Sequence, residues 1–319
     1  MTRRHWVLMI RIILSVVVLT FLVMRVDLSL VRSQLASASP LLMVGGLALF
    51  LARNVLQAWR WLYVIRAWQV QVPFGQLVRL IFVGASFTLI LPTAAGGDLA
   101  RWAMLPRERL DRTMAAQTVF TDRLVGFAAL GLVAAVALPW AWNLVPDPWA
   151  RGAVAAMLPL ALISLTAALR PGWIPAAWRR RVPLVRATAP WSLAPAGLAA
   201  LAAHLVSVTA VMVLGRALGD TTSAVVYGAL LPLIWLLSMV PVSMGGLGVR
   251  EGSFVALFSA AGMSPATAMA VAGLWLLMTL IQAMVGAVVL LVWRRQSSAP
   301  TREDDQRPTP AVIPAGTSQ

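Results

Sequence analysis

The sequence contains no lysine and no cysteine, and its histidines are His5 and His204 alone. Without cysteine there is no disulfide, no thiol nucleophile and no zinc finger. Without lysine there is no P-loop, which needs that side chain on the nucleotide phosphates, and no Schiff-base chemistry. Acids are scarce as well, 11 Asp and Glu against 26 basic residues. They form no paired-carboxylate site, and no Ser-His-Asp spacing occurs, so we expect no enzyme activity, no metal and no cofactor. Charged residues total 12%, against about 25% in a soluble domain. What is abundant is apolar: 60% of residues are hydrophobic and the mean hydropathy is +0.82. This composition excludes an ordinary soluble protein and indicates a polytopic membrane protein. All 26 basic residues are arginine and the net charge is +15. In a soluble chain that would suggest nucleic acid. Here the arginines sit at the ends of apolar segments, where they set membrane topology, and no nucleic-acid partner is expected.

A hydropathy pass divides the chain. Arg3, Arg4 and Arg11 precede an apolar run that lasts to Met24. It is longer than a signal-peptide core and no small-residue cleavage motif follows, so it reads as an uncleaved first helix. Further apolar stretches run over 41–65, 77–92, 124–142, 152–169, 193–218, 224–241 and 268–293, with a piece at 253–261 too short to span. From Gln296 the chain is polar and rich in Pro, Ser, Thr and Asp, a composition that cannot bury a core.

Two of these stretches are broken in the same way. Pro92, Gly96, Gly97 and Arg101 share their spacing with Pro241, Gly245, Gly246 and Arg250, giving P-x-x-x-G-G-x-x-x-R twice, 149 residues apart. Pro/Gly-interrupted segments in corresponding halves point to the binding site of an inverted-repeat transporter. If each is a re-entrant hairpin, the arginines of 1–11, 53–66, 79, 101–123, 170–186 and 294–295 fall on the cytoplasmic side. Arg25, Arg32, Arg151, Arg216 and Arg250 fall on or toward the other side. If every stretch spanned, the loop Arg101–Arg123 would lie outside, against the positive-inside rule. The expected fold is therefore an all-α polytopic membrane protein, with about six spanning helices and two re-entrant hairpins in an inverted repeat. The membrane domain covers 1–295, with pseudo-repeats 1–142 and 150–295, and 296–319 is a disordered cytoplasmic tail. Both termini are expected in the cytoplasm of a bacterial cell, the membrane being the inner one.

Irregular backbone at membrane depth survives only where protein or a water-filled cavity covers it. The breaks at Pro92, Gly96, Gly97, Pro241, Gly245, Gly246 and Gly248 should therefore line a cavity. A helix N-terminus with an arginine nearby, out of bulk water, is an anion site, which makes Arg101 and Arg250 candidates for a lipid headgroup. The other reading is that each pairs with its neighbouring acid, Asp98 or Glu251. Arg53, Asn54, Gln57 and Arg60 fall on one helix face. Intramembrane arginines cost roughly 2.5–3.5 kcal/mol each, so this stripe should face the bundle interior, with Asp122, next to Arg123, as a partner for Arg53 or Arg60. Alternatively Arg60 lies at the interface, within an aromatic belt of Trp59, Trp61 and Tyr63. His204 reads as an interhelical hydrogen bonder.

The same residues carry a resemblance. Leu91–Leu105, LPTAAGGDLARWAML, resembles an element of the lysylphosphatidylglycerol synthase transmembrane-domain family of flippase-like membrane proteins, with Gly96 an extra glycine before the usual one. Asp122-Arg123-Leu124 resembles that family's acidic-Arg-Leu signature. Val240–Phe258, VPVSMGGLGVREGSFVALF, resembles its second Pro/Gly element, and Arg53 and Arg60-Trp61 its second-helix arginines. The resemblance covers about residues 6–293. It implies an inner-membrane domain that moves or presents an anionic or modified lipid. The implied site residues are Arg53, Pro92, Gly97, Asp98, Arg101, Asp122, Arg123, Pro241, Gly245, Gly246, Gly248, Arg250 and Glu251. Full-length synthases continue into a soluble aminoacyl-transfer domain, whereas here a 24-residue polar tail follows the last helix, so lysyl transfer is not expected. The expected partners are membrane lipids, anionic or polyprenyl-linked. The alternative function is a non-catalytic scaffold for a glycosyltransferase or another membrane-bound lipid-modifying enzyme.

Overall fold

The computed structural model describes residue 24 and residues 28–90, 95–106, 110–169, 190–240 and 246–297. Among them are eleven α-helices and no strand. They are α1 (Leu28–Ala36), α2 (Pro40–Arg66), α3 (Phe74–Ile90), α4 (Gly96–Met104), α5 (Arg112–Ala141), α6 (Pro148–Ala155) and α7 (Met157–Leu169). After a 3-10 turn at Pro190–Leu193 come α8 (Ala194–Ala217), α9 (Ala224–Ser238), α10 (Val249–Ala260) and α11 (Pro265–Ser297). Their starts are chemically marked. Pro40 and Pro148 occupy first-turn positions, where a fixed φ suits the helix and no N–H is missed. The carboxylates of Asp111 and Asp147 accept from the Met114 and Trp149 amides at 2.6 and 2.8 Å.

Five segments are long and apolar enough to cross a bilayer: Pro40–Arg66, Arg112–Ala141, Pro148–Leu169, Trp191–Ala217 and Pro265–Trp293. Each exceeds the roughly 20 residues that a hydrocarbon core requires. The protein is an all-α polytopic membrane protein. The expected first span lies outside the described residues except for Met24, as does the tail beyond Ser297. The third and seventh apolar stretches form shorter helices, α3 with 17 residues and α9 with 15.

Two boundaries differ from the hydropathy reading. Helix α5 starts at Arg112, twelve residues before the expected Leu124, so Asp122 and Arg123 lie three turns inside it rather than at its start. The segment 152–169 starts earlier, at Pro148, and is interrupted at Ala156 between α6 and α7.

Helices α2 and α8 pack antiparallel. The Ser39 amide donates to the Ala217 carbonyl at 3.0 Å, and Gly46 leaves room for Leu214, which would lie 2.7 Å from any Cβ there. Helix α3 starts at the end where α2 finishes, with the Trp59 and Phe74 ring centroids 5.9 Å apart. Helix α9 starts at the opposite end, where α8 finishes. Both are followed by a helix that doubles back. In the first pair Gly97 abuts Gly84 and Thr88, while Arg101 lies against Gly84. In the second, Gly246 abuts Ser238 and the Tyr227 and Phe258 rings stand 4.8 Å apart. Helices α3 and α9 thus start at opposite ends of the bundle.

Shifting α2 to α5 by the spacing between Arg101 and Arg250 carries them onto α8 to α11, to within about seven residues at every end. Two apolar cores flank the polar interior. One gathers Phe254, Phe258, Tyr227 and Trp275 with parts of α5 and α8. The other gathers Trp61, Ile65, Leu77 and Leu80 with Leu110 and Ala196. Helix α11 also packs directly on α3. A Cβ at Gly286 would collide with the Phe82 carbonyl oxygen, and the Ser86 hydroxyl donates to the Ala283 carbonyl at 2.6 Å.

Candidate functional site

The polar face of α2 is the foundation of the site. Buried Asn54 donates to the carbonyls of Phe50 and Leu51, one turn back on its own helix, at 3.3 and 3.2 Å. Its amide oxygen accepts from Gln282 Nε2 of α11 at 3.0 Å. Arg53 Nη2 donates to Gln282 Oε1 at 3.1 Å, and its guanidinium lies 4.2 Å from the Phe50 ring centroid.

Two turns further on, Arg60 grips Asp122 with a fork: Nε to Oδ1 at 2.6 Å and Nη2 to Oδ2 at 2.9 Å. Asp122 is fully buried and its Oδ2 also accepts from Arg101 Nη2 at 2.8 Å. Arg101 reaches Asp98 Oδ1 at 3.3 Å through Nη1, and the other oxygen of Asp98 accepts from Arg123 Nε. The result is a chain Arg60–Asp122–Arg101–Asp98–Arg123 that ties α2, α4 and α5 together. The Arg101 guanidinium lies 4.0 Å from the centroid of the buried Trp61 ring, and Gly126 lacks the side chain that would collide with Arg60 Nη1. Arg60 is therefore an interior residue and not part of an interfacial belt.

The second break is built differently. Gly246 and Gly248 both have φ of +83°, a conformation costing roughly 1–2 kcal/mol with a side chain. Gly248 precedes α10, and its amide donates to Glu251 Oε2 at 2.7 Å. Glu251 Oε1 accepts from Arg250 Nε and Nη2 at 2.9 and 2.6 Å. Arg250 Nη1 donates to the Thr279 hydroxyl of α11 at 3.1 Å, and its guanidinium lies 4.9 Å from the Trp275 centroid.

These groups converge on a cavity of about 350 Å³ whose wall includes Arg53, Arg60, Asp98, Arg101, Asp122, Arg123 and Arg250. Of the residues the sequence suggests for a headgroup, only Glu251 is off this wall; it stands behind Arg250. Gly97 is on the wall and Gly96 is buried at the start of α4. Gly246 and Gly248 shape the turn before α10 instead. Pro92, Pro241 and Gly245 lie outside the described residues. Arg250 is the second residue of α10, but Arg101 is the sixth of α4 and reaches across to Asp122 instead of facing its own helix N-terminus.

His204 lies on the wall too, its Nε2 3.1 Å from the Gly126 carbonyl of α5. Both readings of Arg101 and Arg250 thus meet in one place: each pairs with a neighbouring acid and each lines the cavity. Among the described residues no three His, Asp or Glu side chains are arranged to hold a metal ion. The sequence reading missed Thr279, Gln282 and the stacking role of Trp61 and Trp275. The signal was there for the first two, the sole hydroxyl and amide side chains between Ala268 and Trp293.

The chain matches the family described as the lysylphosphatidylglycerol synthase TM region over residues 8–286, and it belongs to that family. Among curated proteins none matches it.

Proposed function

We propose that this protein is a flippase-like translocase, not an enzyme, that passes or presents an anionic or modified envelope lipid through the cavity between its two broken segments. One observation carries the reading. The cavity wall holds five arginines and two aspartates, and two buried guanidinium donors on it, Arg53 Nε and Arg101 Nε, have no acceptor among the described residues. Buried donors of this kind are costly to leave unmatched, and an oxyanion headgroup supplies acceptors of the right sign. A volume near 350 Å³ falls in the range of small-molecule pockets, about 300–1,000 Å³. It suits a headgroup whose acyl or prenyl chains remain in the bilayer. The test is reconstitution of the purified chain in liposomes with a fluorescent acidic lipid in one leaflet. Accelerated exchange of that lipid, and not of a zwitterionic one, is the expected result. Exchange that appears only when a lipid-modifying enzyme is added would replace this reading with that of an accessory subunit.

The associated topology places the chain in a bacterial inner membrane, with both termini and the loop at 105–112 in the cytoplasm and the two broken segments re-entrant from opposite faces. Ser37 and Thr113 are exposed at the two ends of the bundle, and no native cysteine competes with a reporter. Ser37→Cys should react with an impermeant maleimide from outside intact cells. Thr113→Cys should react only after the inner face is opened. External labelling at position 113 would sink the re-entrant arrangement.

A further inference from the structure

The arginines of the cavity are not equivalent. Arg60, Arg101 and Arg123 are bound to Asp122 and Asp98. Arg53 has no carboxylate partner among the described residues. Among those residues it donates to a neutral amide oxygen, and its buried Nε finds no acceptor there. Arg250 faces the same cavity. Both guanidiniums rest on α11, Arg53 on Gln282 and Arg250 on Thr279. Those positions are three residues apart on one helix face, so their Cβ atoms are about 5–6 Å apart. Glu251 is the counter-ion of Arg250 and leaves Arg53 without one. One of its oxygens takes the Nε and Nη2 edge of Arg250 and the other caps Gly248, while Arg250 Nη1 points to α11. Two like charges brought together in the interior of a membrane domain, one without a counter-ion, call for an anion between them.

We infer that Arg53 and Arg250 form the oxyanion subsite of the cavity, closing on the phosphate group of a ligand from the two halves of the chain, with Gln282 and Thr279 as its shelf. Arg60, held by two bonds to Asp122, is framework and does not hold the ligand, and Arg101, shared between Asp122 and Asp98, offers it no more than its Nε. The ligand class is a phosphate oxyanion, carried by a phosphodiester lipid headgroup or free in solution. The subsite deepens the translocase reading and rests on it for the lipid, but its test does not depend on transport.

The experiment titrates the purified full-length protein, in uncharged detergent, with dihexanoyl phosphatidylglycerol, dihexanoyl phosphatidylcholine and inorganic phosphate, following tryptophan fluorescence. The wild type should bind the acidic lipid saturably. Arg53→Gln should weaken that binding about 10- to 100-fold, the range of a lost charge-assisted hydrogen bond. Its melting temperature should be unchanged or raised, because no acid is stranded. Arg53→Lys should recover part of the affinity, since an ammonium lacks the fork. Inorganic phosphate that binds as tightly as the lipid and competes with it would keep the oxyanion subsite but overturn its assignment to lipid. Equal affinity of wild type and Arg53→Gln for the acidic lipid would overturn the subsite, and would leave translocation standing if the liposomes still exchange lipid. Equal binding of the zwitterionic lipid, or no binding of any probe, overturns it as well.

Discussion

Asp122→Asn should be among the most damaging single substitutions in this protein. The carboxylate is fully buried and accepts from Arg60 through two bonds and from Arg101 through a third. An amide of the same shape keeps the volume but presents a donor to two guanidiniums, leaving Arg60 without a counter-ion and Arg101 with Asp98 alone. Removing one side of a buried ion pair typically costs about 3–5 kcal/mol. The expected result is a large fall in melting temperature in detergent and poor yield. The companion change Arg60→Gln should restore part of the loss when added to Asp122→Asn, because Arg101 keeps Asp98 and one stranded charge is removed. A non-additive double-mutant cycle of that sign is the measurement that checks the assignment. Simple additivity would mean that the two residues do not act as a pair.

Gly97→Leu should abolish the proposed lipid exchange. At this residue α4 lies directly on α3: a Cβ would sit 2.5 Å from Thr88 Oγ1 and 2.7 Å from the Gly84 carbonyl oxygen. Neither neighbour can yield cheaply, since one is main chain and the other is held by its own bond to Gly84 O at 3.0 Å. The doubled-back segment must open, and Arg101 is carried away from Asp122. Overpacking in a fitted interior costs about 1–3 kcal/mol, and the displaced ion pair adds to it. Gly246→Ala acts by another route, through the positive φ at a residue that also abuts Ser238, and should be milder. Lipid exchange in liposomes, together with melting temperature, separates the two effects. Wild-type exchange by Gly97→Leu would show that the close approach is incidental.

Long apolar runs made most of the fold readable in the sequence. Four of the five spans lie close to their hydropathic positions because length and apolarity suffice to define them. The start of α5 was hidden for a physical reason. Residues 112–123 include Arg112, Gln117, Thr118, Thr121, Asp122 and Arg123, which hydropathy scores as a loop. Yet Gln117, Thr118, Thr121 and Asp122 are all buried, and Asp122 and Thr118 are satisfied by side chains of α2 and α4 or by the backbone. At the site, the Arg53–Arg60 stripe was visible because its spacing is helical. That Arg101 turns to Asp122 was not, because the pairing depends on how far α4 doubles back over α3. Hydrogen bonds from Arg53 and Arg250 to α11 cross 229 and 29 residues of chain, a relation no local pattern encodes.

Gly286 has a mechanical consequence. By sequence, α11 closes the second half of the chain, and it supports Arg250 through Thr279. Yet it is fused to α3 of the first half by the backbone contact at Phe82 and the Ser86 hydrogen bond. A join that close opposes sliding of α3 along α11. Helix α11 thus joins the two halves of the chain, packed on α3 on one side and holding Arg250 of α10 through Thr279 on the other.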